Sequence, residues 1–321
     1  MAGHDSEVRV KRRPNPTMTV PSEPHNELRG VLYAGGAYAI WGFVPLYWQF
    51  LEDVPPVEIT LHRILWCSLV GLLVTLVRGR VRHFLAVVRT PRIMAALLAS
   101  SLLISVNWTI FIYCVVTHRL IEASLGYYMT PLVSVALGVV FLGEKVSRPR
   151  IVALGLATAA VVIQAAALGS IPWIAPALAL TFGFYGYVRK LTPVDALEGL
   201  TIETCLLLPV TVALVATWAL RGTGAFPSPN LTRNALLMFT GPLTAVPLVL
   251  FAAGARRIRL TTLGFLQFLS PTITLLVATF ILNEPFTRTN LIAFGFVWSA
   301  LVLVSLEGRF ASWTRRRLAR S

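Results

Sequence analysis

The stretch GYYMTPLVSVALGVVFLGEK (126–145) is a long apolar run with a proline, Pro131, near its centre and a glutamate, Glu144, just past its end. A second stretch, LQFLSPTITLLVATFILNEP (266–285), carries Pro271 and Glu284 at the same places. A shift of 140 residues superimposes them, and it also pairs Glu58 with Glu198, Phe111 with Phe251, Leu120 with Leu260, Leu142 with Leu282 and Arg148 with Arg288. One offset serving the whole chain reads as an internal duplication.

Working outward from these two stretches, apolar blocks near the length needed to cross a bilayer, roughly 20 residues, fall at 30–51, 57–78, 93–116, 121–142 and 150–168 in the first half. The second half repeats them at 172–189, 200–220, 234–254, 260–282 and 289–307. The expectation is an all-α integral membrane protein of about ten transmembrane helices in two five-helix repeats, 30–168 and 169–307. Five is odd, so the second repeat enters the membrane from the opposite side and the repeats are inverted. Residues 1–29, rich in proline and charge, read as a disordered tail, and 308–321 as a basic one. Arg9, Lys11, Arg12 and Arg13 precede the first apolar run as in a signal peptide, but no small-residue cleavage site follows it, so the run is expected to remain as a helix.

The composition agrees. Of 321 residues 56% are hydrophobic and 13% charged, with a mean hydropathy of +0.72, more apolar surface than a soluble domain can cover. The net charge of +14 does not mark a nucleic-acid partner, because the arginines alternate with apolar blocks instead of forming a stripe. With the N-terminus inside, the cytoplasmic set takes both tails, the 78–92 loop, Lys145, Arg148, Arg150, Arg189, Lys190, Arg256, Arg257 and Arg259. Only Arg119, Arg221, Arg233 and Arg288 are left for the other side. Positive loops are retained in the cytoplasm, so a multi-pass protein of a bacterial-type inner membrane is expected, both termini cytoplasmic. Cys67, Cys114 and Cys205 stand far apart inside spans and read as small apolar filler.

Intramembrane charge is expensive and usually faces a cavity or a partner. Arg63 and Glu203 are the clearest cases and are repeat equivalents. They fall in opposite leaflets, so Glu122, at the start of the fourth span, is the expected partner of Arg63. His62 could take up a proton near neutral pH, which names the proton as a coupling ion. Asn107 must satisfy its amide within the bundle. Proline at 131 and 271 frees the carbonyls of Tyr127 and Gln267, which then need polar surroundings; this marks the two prolines as hinges and their helices as lining. Trp41 walls a cavity or packs between helices, Trp48 reads as interfacial belt, and Tyr185 completes the cavity candidates. No metal ligand set or cofactor motif is present. Nor is there an HExxH or GxSxG motif for the rival class, a membrane enzyme acting on lipid-linked substrates.

The segments LHRILW (61–66), NW (107–108), EASLGYYMTPLVSVALG (122–138), GEK (143–145), FGFYGYVRK (182–190), IET with LLP (202–209) and TLGFLQFLSPT (262–272) resemble the RarD-type branch of the EamA family, within the drug/metabolite transporter superfamily. The resemblance spans about Gly30 to Glu307. It implies two EamA repeats around a central cavity and a role as permease or exporter of small metabolites or drugs. With Arg63 in the cavity, an anionic or zwitterionic substrate is expected. Asn283 stands where the equivalent of Gly143 would be glycine, a departure that bears on the second repeat's junction.

Overall fold

The computed structural model describes residues 24–142, 148–168, 172–255, 257–258 and 266–318. Among them every regular element is helical: α1 (Pro24–Trp48), α2 (Pro56–Val77), α3 (Val81–Val88), α4 (Pro91–Val116), α5 (Leu120–Leu142), α6 (Arg148–Leu168), α7 (Ile174–Leu191), α8 (Ala196–Leu220), α9 (Leu231–Ala255), α10 (Leu269–Leu276) and α11 (Arg288–Leu318). Five of these are long and apolar enough to cross a membrane by length and composition: α2, α4, α8 and the segments Leu120–Gly138 and Leu231–Phe251 of α5 and α9.

Large apolar side chains face outward, while several charged and polar groups are held inside. Leu73, Leu102, Val106, Val210, Val212, Phe239 and Val302 are exposed, whereas Glu58, His62, Arg63, Asn107, Glu203 and Glu284 are buried. Water would make this arrangement unstable; hydrocarbon makes it favourable, since lipid solvates apolar faces and leaves polar groups to satisfy one another inside.

Lipid tails supply no hydrophobic drive between helices, so close backbone packing must do so. It occurs across the two halves of the sequence: α1 packs on α9, α4 on α7, α2 on α8 and α9, α5 on α7, α1 on α10 and α6 on α11. Glycines permit the approach. A Cβ placed on Gly126 of α5 would stand 2.8 Å from the carbonyl oxygen of Ala175 on α7, and one on Gly241 of α9 would stand 2.6 Å from the carbonyl oxygen of Trp66 on α2. Likewise a Cβ on Gly42 would meet Ile273 at 2.6 Å, and one on Gly183 would meet Val133 at the same distance.

Helices α2 and α8 end alike. Gly79 and Gly222 each take a left-handed φ, +64° and +65°. The next residue's N–H then reaches back to the last turn, Arg80 to Thr75 O and Thr223 to Trp218 O, both at 3.0 Å. This is the six-to-one bond that satisfies terminal carbonyls and stops a helix.

The structure differs from the sequence expectations in several places. α1 begins at Pro24, ahead of Gly30, and α11 continues through the stretch read as a basic tail to Leu318. Within the 78–92 loop the chain forms α3, a helix of 8 residues and too short to cross a bilayer. The ninth block is not one helix kinked at Pro271. The chain turns at Gln267 and Phe268, and α10 starts at Leu269, leaving Pro271 in the first turn, where its missing N–H costs nothing. A π-turn, Val277–Ile281, carries α10 onward. Pro131, by contrast, lies inside α5 as expected. Asn283 adopts φ +55°, so the junction needs a left-handed residue, which asparagine tolerates nearly as glycine does. Its counterparts Gly143, Glu144 and Lys145 lie outside the described residues.

Candidate functional site

The interior polar groups form two clusters, one around Arg63 and one around Glu203. In the first, Arg63 of α2 is 7% exposed and donates from Nε to Thr244 Oγ1 of α9 at 2.9 Å. Its guanidinium lies 3.9 Å from the ring centroid of Trp108 on α4 and 5.7 Å from that of Trp48 at the end of α1. A guanidinium over an indole face is attracted by the ring quadrupole, the more so when desolvated. Among the described residues no carboxylate lies within ion-pair reach of Arg63.

Glu122 is therefore not its partner. It accepts from Arg119 Nε at 2.7 Å and Nη2 at 3.0 Å, a local pair at the start of α5 whose hydrogen bonds push the Arg119 guanidinium above its ordinary pKa. The local pair prevails because three residues of helix spacing bring the two side chains together without cost from tertiary packing. Trp48 is likewise not an interfacial belt residue; it is fully buried beside Arg63.

In the second cluster, Glu203 of α8 is 1% exposed. Ser100 of α4 donates to its Oε1 at 2.6 Å, Arg189 at the end of α7 approaches at 3.5 Å, and the Tyr185 hydroxyl donates to Oε2 at 3.4 Å. Its charge is thus neutralised by protein, unlike that of Arg63.

Asn107 links three helices. Its amide nitrogen donates to Leu178 O at 3.1 Å and to Thr181 Oγ1 at 2.9 Å on α7, while its oxygen accepts from the Tyr127 hydroxyl of α5 at 3.0 Å. His62 is fully buried, with Phe226 edge-on at 5.2 Å and neither ring nitrogen bonded within the described residues. Trp41 packs against Phe251 of α9 and Tyr38. Gln267 is exposed in the turn before α10 and joins neither cluster.

The structure thus gathers Arg63, Asn107, Tyr127, Tyr185 and Glu203 into the interior. Trp108, Trp48, Thr244, Ser100 and Arg189 complete the two clusters and were not singled out from sequence as lining residues. Trp108 follows Asn107 directly and offered that adjacency as its one signal; Thr244 and Ser100 carried none. A groove of about 310 Å³, lined by Ala39, Ile40, Phe43, Val44, Tyr47 and Leu243, opens on the outer surface between α1 and α9. The hydroxyl of Tyr47 is spent on Leu236 O, so the groove offers apolar contact only. Among the described residues no three His, Cys, Asp or Glu side chains converge as a metal ion would require.

The sequence profile of the EamA-like transporter family matches residues 28–165. A protein of Vibrio cholerae described as an uncharacterized transporter is 40% identical over 301 residues, which is 94% of this chain and 99% of its own length. Protein RarD of Escherichia coli is 38% identical over 292 residues, 91% of this chain and 98% of its own. A solved crystal structure shares the fold at a TM-score of 0.56 with 18% identity, covering 88% of this chain and 99% of that one.

Proposed function

This chain belongs to the EamA-like transporter family, with RarD proteins among its homologues, and from that premise we propose that it is a secondary transporter carrying small metabolites or drugs across the membrane by alternating access. A multi-pass membrane transporter of the drug/metabolite superfamily is the common ground of its relatives. The finer reading is ten spans in two inverted repeats, 30–168 and 169–307, with both termini cytoplasmic.

Its support lies in the pairing of contacts. Gly42 meets Ile273 as Gly183 meets Val133, and each pair maps onto the other, within one residue, under the 140-residue shift. Helices α1 with α9 and α7 with α4 exchange under the same shift, and α2 and α8 end on the same motif three residues out of that register. Two halves related in this way can exchange conformations and open a midplane site to either side.

The observation that carries the function is the buried Arg63, a cation enclosed by Trp48, Trp108 and Thr244 and without an acidic partner among the described residues. Its hydrogen bond and indole contacts offset much of the cost of burial but leave its charge without a counter-ion, and an anionic or zwitterionic substrate would supply one. His62, its neighbour, is the group this reading assigns to proton coupling. The test uses the chain in sealed proteoliposomes. Candidate substrates come from a metabolite comparison of expressing and deleted cells. Flux should follow an imposed proton or substrate gradient without nucleotide; flux that requires ATP and ignores every gradient would overturn the proposal.

A further inference from the structure

The short helix α3 joins α2 to α4, and its faces are unequal. Phe84 and Val87 turn inward onto Leu97, Met94 and Ile202. Val81, Leu85 and Val88, which follow one another around a single edge of the helix, stay 37%, 45% and 37% exposed. Arg82 and Arg89, two turns apart, lie along the flank beside that edge, and Arg78 and Arg92 stand at the two ends of the segment. Among the described residues protein partners take two of the basic groups here: Arg80 pairs with Asp195 at 3.2 Å, and His83 bonds Glu198 at 2.7 Å. Arg78, Arg82, Arg89 and Arg92 are exposed, with no acidic partner among the described residues.

We propose that α3 is a binding site for anionic phospholipid: Val81, Leu85 and Val88 enter the boundary of the acyl chains while Arg82 and Arg89, with Arg78 and Arg92, hold the lipid phosphates. The bilayer is the occupant because it is already the solvent of α2 and α4 on either side, so the exposed apolar edge continues their lipid-facing surface. A basic amphipathic helix in this position binds through buried apolar area together with attraction to anionic headgroups. The arginines are not needed to build the fold. The 140-residue shift places Val81–Val88 on the stretch 221–228, where the chain forms no helix and carries Arg221 as its one basic residue. What the two stretches do not share is the membrane face they meet. On the reading that puts the termini inside, α3 lies at the cytoplasmic leaflet, and the proposal concerns that face's lipid and not the transported substrate.

The full-length protein, purified in neutral detergent, is equilibrated with micelles containing phosphatidylglycerol and phosphatidylcholine in equal amount, and retained lipids are counted by native mass spectrometry. The wild type should retain phosphatidylglycerol in preference. Each arginine near a lipid surface accounts for roughly fivefold in binding, so the double variant Arg82→Gln/Arg89→Gln should lose most of that preference. Arg82→Lys/Arg89→Lys should keep it, and so should Arg221→Gln/Arg288→Gln on the other face. Among the described residues neither Arg82 nor Arg89 has a protein partner, so the melting midpoint should not move. Equal retention of both lipids by the wild type, an unchanged preference in the glutamine pair, or equal loss in the control on the other face would overturn the proposal.

Discussion

Methionine in place of Arg63 tests what this residue is for, because the structural and the binding roles predict opposite results for stability. The guanidinium gains one hydrogen bond from a charged donor to Thr244, about 1.5–3 kcal/mol, and a desolvated contact with the Trp108 face, about 2 kcal/mol. Against these stands the penalty for taking an ion out of water, several kcal/mol even after relaxation. The terms nearly cancel, and methionine fills similar volume without the charge. Arg63→Met should therefore shift unfolding by less than about 1.5 kcal/mol in either direction, a range typical of volume-conserving core exchanges, measured as the midpoint of heat-induced aggregation in detergent. Transport of a confirmed substrate should fall by about 100-fold or more, because an anion left facing a thioether loses a charged hydrogen-bond pair of about 3 kcal/mol. Glu122→Ala in the same chain should restore nothing, since Glu122 is held by Arg119. A collapse of membrane abundance in Arg63→Met that Glu122→Ala rescues would refute this reasoning and return Arg63 to a structural ion pair.

Gly126→Leu should destabilise the bundle by several kcal/mol and lower membrane abundance, because its side chain meets the backbone of α7 at Ala175, which cannot step aside; an abundance equal to wild type would contradict the close crossing. Glu284 accepts the N–H groups of Leu120 and Ile121 at 2.8 and 3.0 Å and caps α5, so Glu284→Ala should cost about 1–2 kcal/mol while Glu284→Gln costs less. Burial raises the Glu284 carboxyl above its usual pKa, outweighing those two bonds. The stability tied to its protonation is thus present below the ordinary carboxylate range and lost as pH rises through the raised value, and melting midpoints should show Glu284→Gln gaining on wild type from acid to neutral pH. A phosphatase reporter fused after Ser321 should show no periplasmic activity, and strong activity would reverse the proposed orientation.

Hydrophobic length, the recurrence of residues at a 140-residue offset and the loop-by-loop placement of arginine are all local or periodic properties of the chain. A bilayer responds to composition over one helix at a time, so the membrane class and the identity of Arg63 and Glu203 as buried charges could be read before any contact was known. Pairing could not. Glu122 was matched to Arg63 by depth alone, but depth does not fix the rotation of α5, and Arg119 was nearer along the helix. The surroundings of Arg63 come from α1, α4 and α9, whose approach depends on where glycines let backbones touch, as Gly241 does against Trp66. The break before Pro271 and the docking of Phe84 and Val87 beneath α3 were equally out of reach. A proline in an apolar run is compatible with a kink or a start, and a short amphipathic helix declares its inner face only when another helix, here α4, is there to receive it.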